Sequence, residues 1–424
     1  MEHWRDILAH LGDEAENTFA RMARALDDRL GREPVVIVPY LGYGDATRAV
    51  LRGRVLDAQG APAARDHDTL WQNLLDTYRR FETDEVPGAQ VVGRILGAEQ
   101  AATSDPEGFF ELRLTLAASP PAGQPWHDVA LDAAAPSGQR ASATGQVFIP
   151  QPDAQFGIIS DIDDTVVKTD AINLLNMARN VFLSSARTRL PFPGVAALYR
   201  ALHAGAPGPF VNPIFYVSSS PWNIYDMLTD FFALRGLPKG GMFLRDWGLS
   251  PDRLPLGHRD HKLAAIRELL DFYPALPFVL VGDSGQEDPE IYAEVMRLYP
   301  SRIRAIYIRS VDPSPQRIAA VAALTEQVVA AGGTLILAED TLAMARHAAA
   351  QGWISPEALR DVAADMAHDT SAASPAEAAQ GHTTTVVQTP APAQAGQIVG
   401  ERLAEAQQAG EPAPDIIVTD GDPQ

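Results

Sequence analysis

Three acids crowd the end of one apolar run. In FGIISDIDDTVVKT, residues 156–169, the run Phe156-Gly157-Ile158-Ile159 leads through Ser160 into Asp161, Asp163 and Asp164, with Thr165 behind them. The run reads as a buried strand. Carboxylates gathered where such a strand ends repel one another, and a partly dry site screens them poorly, so a positive partner is needed. A divalent cation is the natural one. Magnesium is the expected ion, because it takes hard oxygen ligands and the chain offers no cysteine and only 10 histidines. Taken alone, the cluster suits a solvated turn or a helix cap equally well, so its company along the chain decides.

Three further stretches keep that company. Phe215-Tyr216-Val217 is an apolar strand pattern ending in Ser218. Lys262 opens an amphipathic helical pattern, KLAAIRELLDFY, and Phe278-Val279-Leu280-Val281 ends in Gly282-Asp283, with Asp288 five residues on. With DIDDT at residues 161–165, and in this order, they resemble the four motifs of haloacid dehalogenase-like phosphohydrolases. The strings ISDIDDTVVKT, FYVSSSPWN, LRDWG and VGDSGQEDPEIY narrow the resemblance to the conserved-domain family of the actin-patch phosphatidate phosphatase. TYRRFETDEVPGA is similar to bacterial members of that family, and the likeness covers roughly residues 35–350.

The resemblance implies a mechanism. Asp161 is the nucleophile that attacks phosphorus and carries an aspartyl-phosphate, and Asp163 protonates the leaving alkoxide, then takes a proton from the hydrolytic water. Lys262 cancels negative charge on the phosphoryl group and the nucleophile, Ser218 donates its hydroxyl to a phosphoryl oxygen, and Ser219 adds a backbone N–H. Asp161, Asp163, Asp283 and Asp288 are the implied magnesium ligands, with Asp288 acting through water or by orienting Lys262. Glu287 competes with Asp288 on spacing, while Asp164 and Thr165 shape the loop. Without their neighbours, the serine run is a strand-ending turn and Lys262 a surface charge. The implied reaction is conversion of phosphatidate to diacylglycerol. Two readings stay open beside it: a phosphatase for another bulky phosphomonoester, such as a protein or inositol phosphate, and a non-catalytic binding protein. The intact set Asp161, Asp163, Lys262 and Asp283 argues against the second.

Composition excludes other classes. A formal charge of −20 argues against a nucleic-acid binder, since phosphate backbones are held by Lys and Arg. The absence of cysteine excludes disulfides and thiolate chemistry. MEHWRDILAHLGDEAENTF has no basic region followed by an apolar core, so no signal peptide is expected. No apolar run approaches the about 20 residues of a transmembrane helix. A cytoplasmic protein is expected, peripheral at membranes if its phosphorylated substrate is a lipid at the bilayer surface.

These residues need a frame to bring them together. From residue 151 to 366 apolar strands at 156–160, 212–217, 242–244, 278–282, 303–308 and 334–338 alternate with helical patterns. That alternation predicts an α/β fold, a Rossmann-like parallel sheet with helices on both faces, of the haloacid dehalogenase-like kind by resemblance. Ligands of such sheets bind at the carboxyl ends of strands, where the four motifs fall. Residues 35–150 read as a smaller β-sandwich-like domain of short strands between Gly, Pro and Asp, broken by a helical piece at 68–81. SDPEGFFELRL within it resembles transthyretin-like sandwiches. Residues 1–34 carry apolar positions at helical spacing, and 367–424, rich in Ala, Pro, Thr and Gln, read as a disordered acidic tail with a candidate docking run at 415–419.

The gaps after the first motif and between the second and third are too short for an extra covering domain. An open site suits a bulky substrate. INLLNMARNVFLSSARTRLPF, residues 172–192, combines Leu174, Leu175, Val181, Phe182 and Leu183 with Arg179, Arg187 and Arg189, which suits either a membrane-facing surface or a core-facing helix. The resemblance also sets Trp222, Asn223, Arg245 and Asp246 at the mouth.

Overall fold

A computed structural model describes residues 34–57, 85–162, 193–206, 212–245, 257–311, 314–372, 384–389 and 415–420. The N-terminal helical pattern, the helical piece at 68–81, Asp163, Asp164, Thr165, the 172–192 segment and Asp246 lie outside the described residues.

Among the described residues eight strands come first: β1 (Val35–Pro39), β2 (Gly42–Gly44), β3 (Arg48–Asp57), β4 (Gln90–Ile95), β5 (Ala98–Thr103), β6 (Phe109–Thr115), β7 (Trp126–Ala134) and β8 (Arg140–Phe148). They run in the order β1-β3-β2-β8-β7-β4-β5, with β6 against β3, and pair antiparallel except for β2 with β8. Alternate residues of most of these strands enter one apolar core, among them Leu51, Leu112, Val91, Leu131 and Val147. Across this core β4 and β6 meet closely. A Cβ on Gly93 of β4 would stand 2.5 Å from the Leu112 side chain of β6.

The second sheet begins with β9 (Gly157–Asp161), followed by α1 (Val195–Ala204), β10 (Ile214–Pro221), a 3-10 turn (Trp222–Ile224) and α2 (Tyr225–Arg235). Then come β11 (Gly241–Arg245), α3 (His258–Phe272), β12 (Phe278–Asp283), α4 (Asp288–Leu298), β13 (Ile303–Arg309) and α5 (Pro315–Ala330). The unit continues with β14 (Leu335–Ala338), α6 (Thr341–Ala350) and α7 (Pro356–Ala372). The strands from β9 to β14 are all parallel, in the order β11-β10-β9-β12-β13-β14.

Burial explains the layering. Every residue of Phe278–Asp283 is buried, as parallel strands covered on both faces require. Ile159, Phe215, Val217, Phe278 and Leu280 face one core with α3, α4 and α5, whereas Ile158, Tyr216, Val279, Val281 and Tyr307 face another with α1, α2, α6 and α7. The period-2 pleat thus feeds two helical layers from one sheet. The mixed α/β architecture with its parallel sheet is the one expected.

Two differences stand out. Lys262 does not open its helix; α3 begins a turn earlier at His258, because the polar GHRDH stretch continues the helix back to Gly257. Within the stretch expected as a tail, two strands, β15 (Thr384–Thr389) and β16 (Asp415–Asp420), extend the sheet: β16 lies antiparallel to β14 and β15 parallel to β16. TTVVQT and DIIVTD are β-branched runs set in Ala- and Pro-rich surroundings, and they pair through backbone at the otherwise open β14 edge. Among the described residues, no helix is long and apolar enough to cross a membrane.

The first unit is keyed into the second. Tyr43 is 3% exposed, lies among Phe215, Phe243, Phe272 and Tyr273, and donates its hydroxyl to Glu268 of α3 at 2.7 Å. Arg52 reaches the same Glu268 at 2.6 Å, and Arg48 donates to the Phe272 carbonyl at 2.7 Å. Burial pushes the Tyr43 hydroxyl well above its ordinary pKa, so it stays a donor. Nearer the carboxyl ends, Tyr40 stacks on Trp222 at 4.3 Å, and Arg54 donates to Asn223 at 3.4 Å.

Candidate active site

The chain enters the sheet at β9, builds outward on one side through β10 and β11, then returns to build β12, β13 and β14 on the other. Such a reversal opens a crevice at the carboxyl ends of the two central strands. Parallel register sets Val217 beside Asp161 and Val281 beside Ser160. Asp161 and Asp283 therefore end neighbouring strands at one edge, and Ser218 of β10, the residue after Asp161's register partner Val217, lies beside them.

Lys262 binds the set together from α3. Its Nζ lies 2.7 Å from Asp161 Oδ1 and 2.8 Å from Asp288 Oδ1, and the three side chains are 1%, 3% and 0% exposed. The contact to Asp288 is a hydrogen bond; that to Asp161 is an ion pair outside hydrogen-bond angles. A buried ammonium is tolerated only with such partners. Gln286 adds its Oε1 at 3.4 Å.

The loop after β12 fixes the other acids. Asp283 Oδ1 accepts from the Gly285 and Gln286 amides at 2.6 and 3.2 Å, while Asp288 Oδ2 accepts from the Asp283 amide at 3.1 Å. Gly282 makes room for this: a Cβ there would come 2.5 Å from Asp288 Oδ2. Glu287 is exposed and Asp288 buried, which separates the two candidates that spacing left competing. Asp161, Asp283 and Asp288 each offer an oxygen, all within 4.8 Å of one another. These carboxylates exceed the single ammonium in charge, and hard oxygen donors converging on one point suit magnesium. The residues fit the expected ion on their own geometry.

On the β10 side Ser218, Ser219 and Ser220 are all buried. Ser218 Oγ accepts from the Ser220 amide at 2.9 Å, and Ser219 Oγ pairs with His258 Nδ1. Behind Asp161, Ser160 Oγ donates to the Asp161 carbonyl at 2.8 Å and lies 2.6 Å from the Tyr199 hydroxyl. Burial, reinforced by the charges of Asp161 and Asp288, outweighs the Ser160 contact and holds the Tyr199 pKa above its ordinary value, so it serves as a donor.

Of the expected residues, Asp161, Lys262, Asp283, Asp288, Ser218 and Ser219 gather at this end of the sheet, and Asp163 lies outside the described residues. Trp222 and Asn223 follow β10 directly, and Arg245 pairs in register with Pro221 at the end of β11. His258 was missed, although it stands four residues before Lys262, the spacing that puts two side chains on one helix face. Tyr199 and Ser160 gave no sequence signal beyond an apolar helix and a strand end.

Residues 156–310 match the family model described as "Phosphatidate phosphatase APP1, catalytic domain". Phosphatidate phosphatase APP1 of Saccharomyces cerevisiae is 35% identical over 156 residues, which cover 36% of this chain and 26% of that protein. An uncharacterized protein of Schizosaccharomyces pombe is 33% identical over 161 residues, covering 37% of this chain and 25% of its own. The match thus spans about a quarter of the length of these relatives. Among solved structures, the Ig1-2 module of the Drosophila receptor protein tyrosine phosphatase DLAR is 15% identical, covers 31% of this chain and 60% of its own, and has a TM-score of 0.17, too low to bear on the fold.

Proposed function

We propose that this chain is a magnesium-dependent phosphatase of the haloacid dehalogenase-like type, working through an aspartyl-phosphate, with phosphatidate as its substrate and diacylglycerol as its product. One observation carries the reading: Lys262 lies between Asp161 and Asp288, beside Asp283, at the carboxyl ends of β9 and β12. The matched family model and the yeast relative support the substrate.

Asp161, Asp283 and Asp288, with Asp163, would hold the ion, which when bound withdraws charge from the phosphoryl oxygens. The Asp161 carboxylate attacks phosphorus in line; the O–P bond to Asp161 forms as the ester P–O bond breaks, and Asp163 gives its proton to the departing alkoxide. A water molecule then attacks the same phosphorus, Asp163 takes the water's proton, and inorganic phosphate leaves with Asp161 regenerated. Lys262 neutralises the nucleophile and the incoming phosphoryl charge, and Ser218 donates to a phosphoryl oxygen.

The test offers the purified chain phosphatidate in mixed micelles and a panel of soluble phosphomonoesters, with magnesium. Phosphatidate is expected to be hydrolysed best. Asp161→Asn abolishes turnover, and Asp163→Asn lowers it about 100-fold or more, the range of general acid–base catalysis. Preference for a soluble ester by orders of magnitude would remove the lipid substrate. Turnover equal in wild type and Asp161→Asn would remove the mechanism.

A further inference from the structure

The loop joining β12 to α4 is gripped from outside the site. Arg317, in the first turn of α5, donates Nε–H to the Ser284 carbonyl at 2.6 Å and an Nη2–H to the Gln286 carbonyl. Its Nη1 and Nη2 also meet both carboxylate oxygens of Glu290 in α4, the second at 3.1 Å. The neighbouring strand end adds two bonds to the same loop: the Ser284 amide donates to the Arg309 carbonyl at 2.8 Å, and Ser284 Oγ accepts from the Val311 amide at 2.9 Å. Two carbonyls and one carboxylate thus converge on a single planar fork, only 15% exposed. A point charge cannot match that pattern.

The gripped loop does the orienting inside the site. Its Gly285 and Gln286 amides aim Asp283 Oδ1, Asp288 follows at its end, and Gln286 Oε1 faces Lys262. Arg317 thereby acts on the acids at one remove, through the peptide groups that hold them.

We propose that Arg317 is a positioning residue for the carboxylate cluster, and that by fixing residues 284–287 it sets the affinity of the site for a divalent cation. The inference rests on the phosphatase reading for the ion. Partners that orient metal ligands from behind typically change affinity about 10- to 100-fold when removed.

Binding of Mn2+ to the full chain, followed by electron paramagnetic resonance, needs no substrate and no turnover. Arg317→Met is expected to raise the Mn2+ dissociation constant about 10-fold or more. Arg317→Lys raises it by a smaller, measurable factor, and Arg94→Ala, which removes exposed ion pairs in the first unit, leaves it unchanged. Amide hydrogen exchange across residues 284–287 rises in the Arg317 variants. A folded Arg317→Met chain with wild-type Mn2+ affinity overturns the positioning role and leaves the phosphatase reading standing. If Arg317→Met does not fold, unchanged affinity in Arg317→Lys overturns it. A wild-type chain that takes up no Mn2+ overturns both.

Discussion

Lys262 is the side chain on which the site's electrostatics turn. Removing one member of a buried ion pair costs about 3–5 kcal/mol, because the remaining charge stays buried without its counterpart. Lys262→Met leaves Asp161 and Asp288 facing each other across an apolar stem, both almost fully buried. The variant should be destabilised by about 3–5 kcal/mol in chemical denaturation without divalent ions, and magnesium should recover part of the loss by binding only the folded state. Equal stability of variant and wild type would mean that the carboxylates do not depend on Lys262. The residues that gather at the site were readable from the chain because carboxylates at strand ends, a lysine and a serine run seldom fall in that order for other reasons. Their supporters were not. Arg317 lies 29 residues beyond Asp288, and only the fold brings its fork to the loop carbonyls.

Among the elements, strands announced themselves in proportion to their burial. β9 and β12 are largely apolar runs and were legible to within a residue, whereas β10, expected at 212–217, runs on through three serines to Pro221. β5, AEQAAT, has no fully buried residue, and the alternation in β7 rests partly on alanine, so neither carried a strong pattern. β15 and β16 were hidden by the composition around them. The seam between the two sheets was equally invisible, since Tyr43 and Arg52 sit 225 and 216 residues from Glu268. Tyr43→Ala should cost about 3–5 kcal/mol, the range for emptying a buried aromatic position, whereas Tyr43→Phe, which loses one bond to a carboxylate, should cost about 1.5–3 kcal/mol. Denaturant titration with a tryptophan and a far-ultraviolet probe checks both. No loss in either variant would contradict the keyed seam.

For the molecule as a whole, acid sensitivity follows from a histidine remote in sequence from the acids. His347 of α6 is 5% exposed, and its Nδ1 lies 2.9 Å from the Tyr307 hydroxyl. Burial pushes its pKa down to about 4, against an unfolded value near 6.5. Between those values the unfolded chain binds the extra proton, so the stabilisation is complete above about pH 6.5 and is lost as pH falls toward 4. From pH 7 to pH 5 this group alone should remove about 2 kcal/mol. His347→Phe should flatten the pH dependence by about that amount, measured by denaturation at both pH values. An unchanged slope would show that the imidazole is not held neutral.

Because Tyr43 and Arg52 finish inside the helical layer, residue 150 is a poor point at which to divide the polypeptide. A shortened version beginning there would carry a hollow lined by Phe215, Phe272 and Tyr273 and would leave Glu268 without its hydroxyl and guanidinium donors. Minimal versions for crystallisation or transplantation are better begun ahead of Val35, keeping both sheets in one piece.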